Sequence, residues 1–270
     1  MTIRAASAFL VLLAAAFCAA CDAAAPTSAS AALAAPGLIR KYAGRALVLA
    51  TGACAVNCRY CFRRNFPYAD SQLSKQHENA GIQYLNEHTE VSEVILSGGD
   101  PLLLNDERLK NLIQKLNTVK HLKRIRIHTR LPIVLPARIT EKLITSLTES
   151  TQQVVIVVHC NHANEINTRV INALALLRSS GINLFNQSVL LKGVNEHANI
   201  LCDLSEKLFS NGVIPYYLHL LDKATGTGHF EVPETIAVEL IKQMQLTLPG
   251  YLVPKLVKEL AGALSKQTVL

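Results

Sequence analysis

A chain of 270 residues, half of them hydrophobic, is long enough to bury one sizeable core and too apolar to be disordered. Its net charge of +7, from 27 Lys and Arg against 20 Asp and Glu, suits phosphate or carboxylate ligands, yet no RNA-recognition signature or basic helix marks a nucleic-acid module. The seven cysteines are one N-terminal pair, one trio and two scattered residues, Cys160 and Cys202, which read as reduced, buried thiols. Residues 1–35 differ from everything after them. Met1 to Arg4 makes a charged start, an apolar run spans Ala5 to Ala20, and a low-complexity stretch runs from Ala23 to Pro36. This has the look of a secretory signal. The run is too short for a stable membrane span. Cys18 sits three residues ahead of Cys21, unusual for a lipoprotein cleavage site. The segment is therefore read as signal-like or disordered.

From Gly37 onward β-rich runs alternate with helical stretches. The runs are Ala46–Ala50, Val91–Leu96, Arg124–His128, Val154–His159, Asn183–Leu190 and Val213–Leu220. Between them lie helices over Gln72–Glu87, Glu107–Val119, Thr140–Glu149, Glu165–Ser179, Glu196–Ser210 and Pro233–Gln245. Six β-α units predict an α/β fold with a parallel sheet. Right-handed crossovers curl such a sheet into a partial (β/α)6 barrel, with chemistry at the carboxyl ends of its strands. The candidate motifs fall there. Cys54, Cys58 and Cys61 follow the first strand, and Ser97-Gly98-Gly99-Asp100-Pro101 the second. His128-Thr129-Arg130 follows the third and His159 to His162 the fourth; Asp222 ends the sixth. Two histidines at i, i+3 without a third ligand read more readily as polar packing than as a metal site. The amides of Asn186 and Gln187 could point inward or bond to a neighbouring strand.

The trio is spaced C-x3-C-x2-C. Three thiolates on one short loop satisfy three irons of a four-iron cluster and leave the fourth free to chelate a small molecule. A structural zinc site wants four ligands in paired form, which this loop does not offer. The loop resembles that of radical S-adenosylmethionine (SAM) enzymes. In that setting Ser97, Gly98, Gly99 and Asp100 read as a cradle for the amino-acid end of SAM, glycine allowing close approach.

The resemblance extends beyond the loop. Tyr42-Ala-Gly-Arg45, Cys58-Arg-Tyr-Cys-Phe-Arg-Arg64, Ser97 to Leu102, Asn161 to Ile166, Asn186 to Asn195 and Pro215 to Asp222 together are similar to lysine 2,3-aminomutases, over roughly residues 36–268. The phrases Arg130 to Thr140 and Gly250 to Leu256 resemble the branch that makes (R)-β-lysine for translation elongation factor P. The resemblance implies a [4Fe-4S] cluster on Cys54, Cys58 and Cys61, SAM at its open iron, and pyridoxal 5′-phosphate (PLP) carried by Lys266. On sequence alone Lys266 reads as a solvated tail residue, with Lys255 and Lys258 as rivals. It further implies Tyr42 and Arg45 at PLP, Arg63 on the substrate carboxylate, and Asp222 and Glu259 on the ε-ammonium of L-lysine. A SAM-derived radical would take hydrogen from Cβ, and nitrogen would migrate from Cα to Cβ.

The chain is thus divided into residues 1–35, a radical SAM barrel over 36–248, and a PLP-lysine segment over 249–270. An electron donor such as flavodoxin or ferredoxin is implied. A reducing, cytoplasmic compartment suits the cluster, and oligomeric state is open. Departures from the family are the apolar N-terminal stretch in place of a longer segment and the lack of C-terminal zinc-binding cysteines. Two other classes stand beside the enzyme: a truncated or inactive paralogue acting as a binding protein, and an exported binding protein suggested by the N-terminus.

Overall fold

The computed structural model describes residues 33–64, 77–260, 263 and 265–270. The apolar N-terminal run and the first turn of the helix read from Gln72 lie outside these residues. Ten strands form one sheet in chain order. β1 (Leu33–Ala35), β2 (Leu38–Tyr42) and β3 (Arg45–Thr51) are antiparallel to one another. β3 then begins a parallel series through β4 (Glu93–Gly98), β5 (Arg124–Thr129), β6 (Gln153–Val158), β7 (Asn183–Val189), β8 (Val213–His219) and β9 (Lys255–Lys258). β10 (Gln267–Thr268) closes the series antiparallel to β9. β1 and β10 do not pair, so among the described residues the barrel is open along one side.

The six strands expected from sequence are all present, within a few residues of their expected bounds. Two features go beyond that reading. Leu33–Ala35, inside the stretch read as low-complexity, pairs with β2 through a turn at Gly37. The φ of 75° at that glycine is one L residues rarely adopt. The tail contributes a seventh parallel strand, β9.

The helices are α1 (Glu78–Glu87), α2 (Asp106–Leu116), the short α3 (Leu131–Val134), α4 (Glu141–Thr148), α5 (Thr168–Ser179), α6 (Ala198–Ser210) and α7 (Glu234–Thr247). Their starts are written in the sequence. Asn105 accepts from the Arg108 amide at 2.8 Å, Thr140 from Leu143 at 3.2 Å, and Asn167 from Arg169 at 3.0 Å. Each side chain thereby satisfies a donor that the first helical turn leaves unpaired. In α2, Leu109, Leu112, Ile113 and Leu116 are buried, a spacing that puts one apolar stripe against the sheet. Strand alternation supplies the other half of that core. Val94 and Leu96 of β4 and Ile125 and Ile127 of β5 face the helices, fully buried. Their neighbours Ile95, Ser97, Arg126 and His128 face the barrel interior. Among the described residues no helix is long and apolar enough to cross a membrane.

Candidate active site

Every residue given a cluster, SAM, PLP or substrate role above lines one cavity of about 310 Å³ inside the barrel. Its first wall is the cysteine loop, which leaves β3 at Thr51. Cys54, Cys58 and Cys61 are free thiols, the first exposed and the others half-buried. The Cys61 amide donates to the Cys58 carbonyl at 3.1 Å, so the second and third cysteines share one tight turn. Among the described residues no three His, Cys, Asp or Glu side chains converge where a single ion would sit. A cluster asks for a different arrangement, each thiolate on its own iron.

The Ser97–Pro101 turn holds this loop in place. Gly99 N–H donates to the Thr51 carbonyl at 2.6 Å and Asp100 N–H to that of Ala53 at 2.8 Å. A Cβ on Gly98 would lie 2.5 Å from the Thr51 oxygen, and one on Gly99 would lie 2.7 Å from the Ala53 carbonyl carbon. The close approach that these glycines permit is that of the cysteine loop's own backbone. The Asp100 side chain, on the cavity wall, is taken up by neighbouring protein groups. It accepts from the Thr129 hydroxyl and the Arg130 amide, both at 2.7 Å, and from Leu102 N–H at 3.1 Å. Burial lifts its pKa above the usual carboxylate range, against the pull of those donors. Arg63 donates to the Ser97 hydroxyl at 2.8 Å and the Gly98 carbonyl at 3.2 Å.

The opposite wall comes from the two ends of the sheet. Lys266, just before β10, pairs with Glu259 at 2.7 Å. Tyr42, at the end of β2, donates to the same carboxylate at 3.4 Å, and the Arg45 guanidinium lies 4.3 Å from the Tyr42 ring centre. Lys255 and Lys258 do not line the cavity, and Lys258 pairs outside it with Glu234 at 2.7 Å. Asp222, after β8, also lines the cavity.

A further row of inward side chains includes His128, His159 and Gln187, which the sequence singled out without settling a role, and Arg126 and His219, which it did not single out. Arg126 and His128 point inward from β5, His159 follows β6, Gln187 lies on β7 and His219 ends β8. The rings of His128 and His159 meet edge to face with centres 5.6 Å apart. Burial pushes the His159 pKa down to about 4 and those of His128 and His219 well below 6.5, with nearby cations adding to the effect. All three imidazoles are therefore neutral near pH 7. His128 Nε2, His159 Nε2 and Gln187 Oε1 are buried without a hydrogen-bond partner. Orphaned polar atoms on a cavity wall fit a cavity shaped for a polar ligand.

The period-two alternation of Arg124, Arg126 and His128 against Ile125 and Ile127 was the signal for part of this row. The ambiguous pairs split in the same way. His159 lines the cavity, while His162 accepts from the Asn164 amide at 3.0 Å in its own turn. Asn186 bonds to the backbone of Cys160 across to the next strand, at 2.9 Å and 3.1 Å, whereas Gln187 faces inward.

Comparison with known proteins agrees with this geometry. The radical SAM superfamily pattern matches residues 48–201. The L-lysine 2,3-aminomutase of Escherichia coli K12 is 50% identical over 231 residues, covering 86% of this chain and 68% of that protein. The Haemophilus influenzae L-lysine 2,3-aminomutase is 49% identical over the same shares. That of Clostridium subterminale is 38% identical over 236 residues, 87% of this chain and 56% of its own length. Among solved structures, a radical SAM methyltransferase from Sphaerobacter thermophilus superposes with a TM-score of 0.59 at 15% identity, over 82% of this chain and 68% of that one. Streptococcus suis SuiB superposes at 0.58 and 13% identity, over 81% and 50%. At such identities the structural likeness speaks for the fold alone, and half-identity over most of the chain speaks for closer kinship. The chain belongs to the lysine 2,3-aminomutase family of radical SAM enzymes, a membership that implies SAM and a [4Fe-4S] cluster.

Proposed function

We propose that this chain converts L-lysine to β-lysine by 2,3-amino migration, an intramolecular aminotransferase reaction using a [4Fe-4S] cluster, SAM and PLP. The observation that carries the reading is that Lys266 lines the same cavity as the cysteine loop, although the two lie at opposite ends of the barrel sequence. In this reading residues 36–248 serve the SAM chemistry and residues 249–270 supply the PLP lysine. Cys54, Cys58 and Cys61 would hold the cluster; Lys266, Tyr42 and Arg45 would hold PLP; and Ser97 to Asp100 would shape the SAM end. When bound, these cofactors supply the hydrogen-abstracting radical and the conjugated system through which nitrogen moves.

The protein's own part is to bind, orient and exclude water. Arg63 carries a planar fork suited to a two-point grip on the substrate carboxylate. Asp222 and Glu259 can meet the ε-ammonium, and their spacing from Arg63 gauges the length of a diamino acid. Glu259 holds the Lys266 ammonium, and His219 Nε2 stands 3.4 Å from the same nitrogen. A neutral imidazole there adds no further positive charge to a cavity already holding Arg45, Arg63, Arg126 and Lys266. Leu47, Leu49, Ile95, Val134 and Leu221 give the apolar surface that keeps water away from a reactive centre.

We further infer (R)-β-lysine as product, elongation factor P as the destination, a flavodoxin or ferredoxin as electron donor, and a cytoplasmic setting. The two sequence phrases shared with that branch support the first pair, and a low-potential cluster the second. The test is anaerobic incubation with SAM, PLP, dithionite and L-lysine, followed by chiral chromatography. (R)-β-lysine that depends on PLP is expected. An excess of the (S) form overturns the stereochemical assignment, and absence of any β-lysine from cluster-loaded protein overturns the activity.

A further inference from the structure

Arg130 occupies a position that the reaction above leaves unused. It follows β5 and its backbone amide is fixed by Asp100 at 2.7 Å. Its guanidinium spans three partners. Nη1 donates to Cys58 Sγ at 2.9 Å and to the Tyr60 hydroxyl at 2.8 Å, and Nη2 pairs with Glu165 at 2.6 Å. Tyr60 is held from its other side by Asn161 Nδ2 at 2.8 Å. Glu165 is fixed in turn by the amides of Asn161 and His162, at 2.7 Å and 3.1 Å. The cysteine loop is thus moored to the loops after β5 and β6 through one cation, and that cation touches the sulfur of one cysteine of the trio.

We propose that Arg130 is a positioning residue that fixes the Cys58 sulfur and, by its charge beside that sulfur, raises the reduction potential of the cluster, with Glu165 opposing it. The inference rests on the cluster reading of the three cysteines. Taking up one electron from a low-potential donor makes a four-iron cluster one charge more negative. A cation against a ligand sulfur favours that state, because hydrogen bonds and charge at the sulfurs are among the levers that set such potentials. A carboxylate paired with the cation offsets part of its field. The two residues therefore act in opposite directions, which a purely structural mooring would not do.

The experiment is a redox titration of the anaerobically reconstituted full chain, followed by electron paramagnetic resonance, on the unaltered protein, Arg130→Gln, Arg130→Lys and Glu165→Gln. Arg130→Gln keeps a donor but loses the charge. It is expected to lower the reduced fraction at a fixed donor potential about tenfold, equivalent to about 59 mV for one electron. Glu165→Gln is expected to shift the midpoint upward. Arg130→Lys, which keeps the charge without the fork, is expected to stay near the unaltered midpoint but release iron faster to a chelator. Unmoved midpoints in both glutamine variants, or shifts of the same sign, overturn the proposal. Should Arg130→Gln hold no cluster, the direction of the Glu165→Gln shift decides alone. An unaltered chain that takes up no iron overturns the cysteine assignment itself, and this inference with it.

Discussion

Gly99→Ala tests the idea that the Ser97–Pro101 turn exists to let the cysteine loop approach. The added Cβ would lie 2.7 Å from the Ala53 carbonyl carbon and 2.8 Å from its nitrogen, with the carbonyl oxygen closer still. All three are backbone atoms one residue before Cys54, so no side chain can swing aside. Forcing such a contact costs about 1–3 kcal/mol by overpacking. Separating the strands also loosens the Gly99–Thr51 and Asp100–Ala53 hydrogen bonds, each worth about 0.5–1.5 kcal/mol. Against this, alanine restricts the unfolded chain and returns about 0.4–1 kcal/mol. The balance is a loss of about 1–5 kcal/mol, placed next to the cysteine loop. Cluster retention should then fall roughly fivefold or more. The assay is iron content after anaerobic reconstitution and graded chelator challenge, with circular dichroism as the control for the fold. A variant that keeps about four irons per chain as tenaciously as the unaltered protein would refute the reasoning.

Cys58→Ala should remove both the iron and the SAM-dependent change in the paramagnetic signal; unchanged iron content would sink the cluster assignment. Lys266→Ala should lose borohydride-fixed PLP while the cluster signal persists. A label that survives and maps to Lys255 or Lys258 would contradict the placement of those side chains outside the cavity. Arg63→Lys should keep both cofactors yet raise the concentration of lysine needed. Asp222→Asn should weaken lysine by roughly tenfold or more, since a charge-assisted bond is worth about 1.5–3 kcal/mol; unaltered lysine saturation in steady-state assays would argue against either role. His159 predicts a pH dependence. Its folded pKa lies below its unfolded one, so the unfolded chain binds the proton more readily and stability falls as pH drops from about 6.5 to 4. This residue alone accounts for about 3 kcal/mol of that loss. Urea unfolding of His159→Gln across this range should give a flatter profile than the unaltered chain.

Much of this fold was legible because the six β-α units obey two simple periods. The strands are β-branched runs, and helices such as α2 carry an apolar stripe behind an asparagine cap. The cysteine loop was legible because its spacing is itself the chemistry. What escaped was whatever depended on contacts distant in sequence. Leu33–Ala35 is a strand only because Leu38–Tyr42 pairs with it, and alanines carry little β-preference of their own. Lys255–Lys258 is four residues long and gains its place from β8. No spacing rule could tell that Lys266 faces Glu259 while Lys258 faces Glu234. The inward row takes Arg126 and His128 from β5, Gln187 from β7 and His219 from β8, with His159 just after β6, so no local window contains it.

Among the described residues no strand joins β1 to β10, which leaves a slit along the barrel. Its lips are joined near the cavity by side chains, Tyr42 on one side reaching Glu259 on the other, rather than by a ladder. A slit tube yields to torsion far more easily than a sealed one, since its walls can slide past each other along the seam. A small change of twist at each of several parallel strand pairs sums to a useful displacement at the lips, with no single hinge. The residues at those lips are Tyr42, Glu259 and Lys266. The expectation is that ligand entering between them draws the seam shut, and that the resulting tightening is spread over the whole sheet. Hydrogen exchange would register it as a modest slowing in every strand rather than a large one in a single loop.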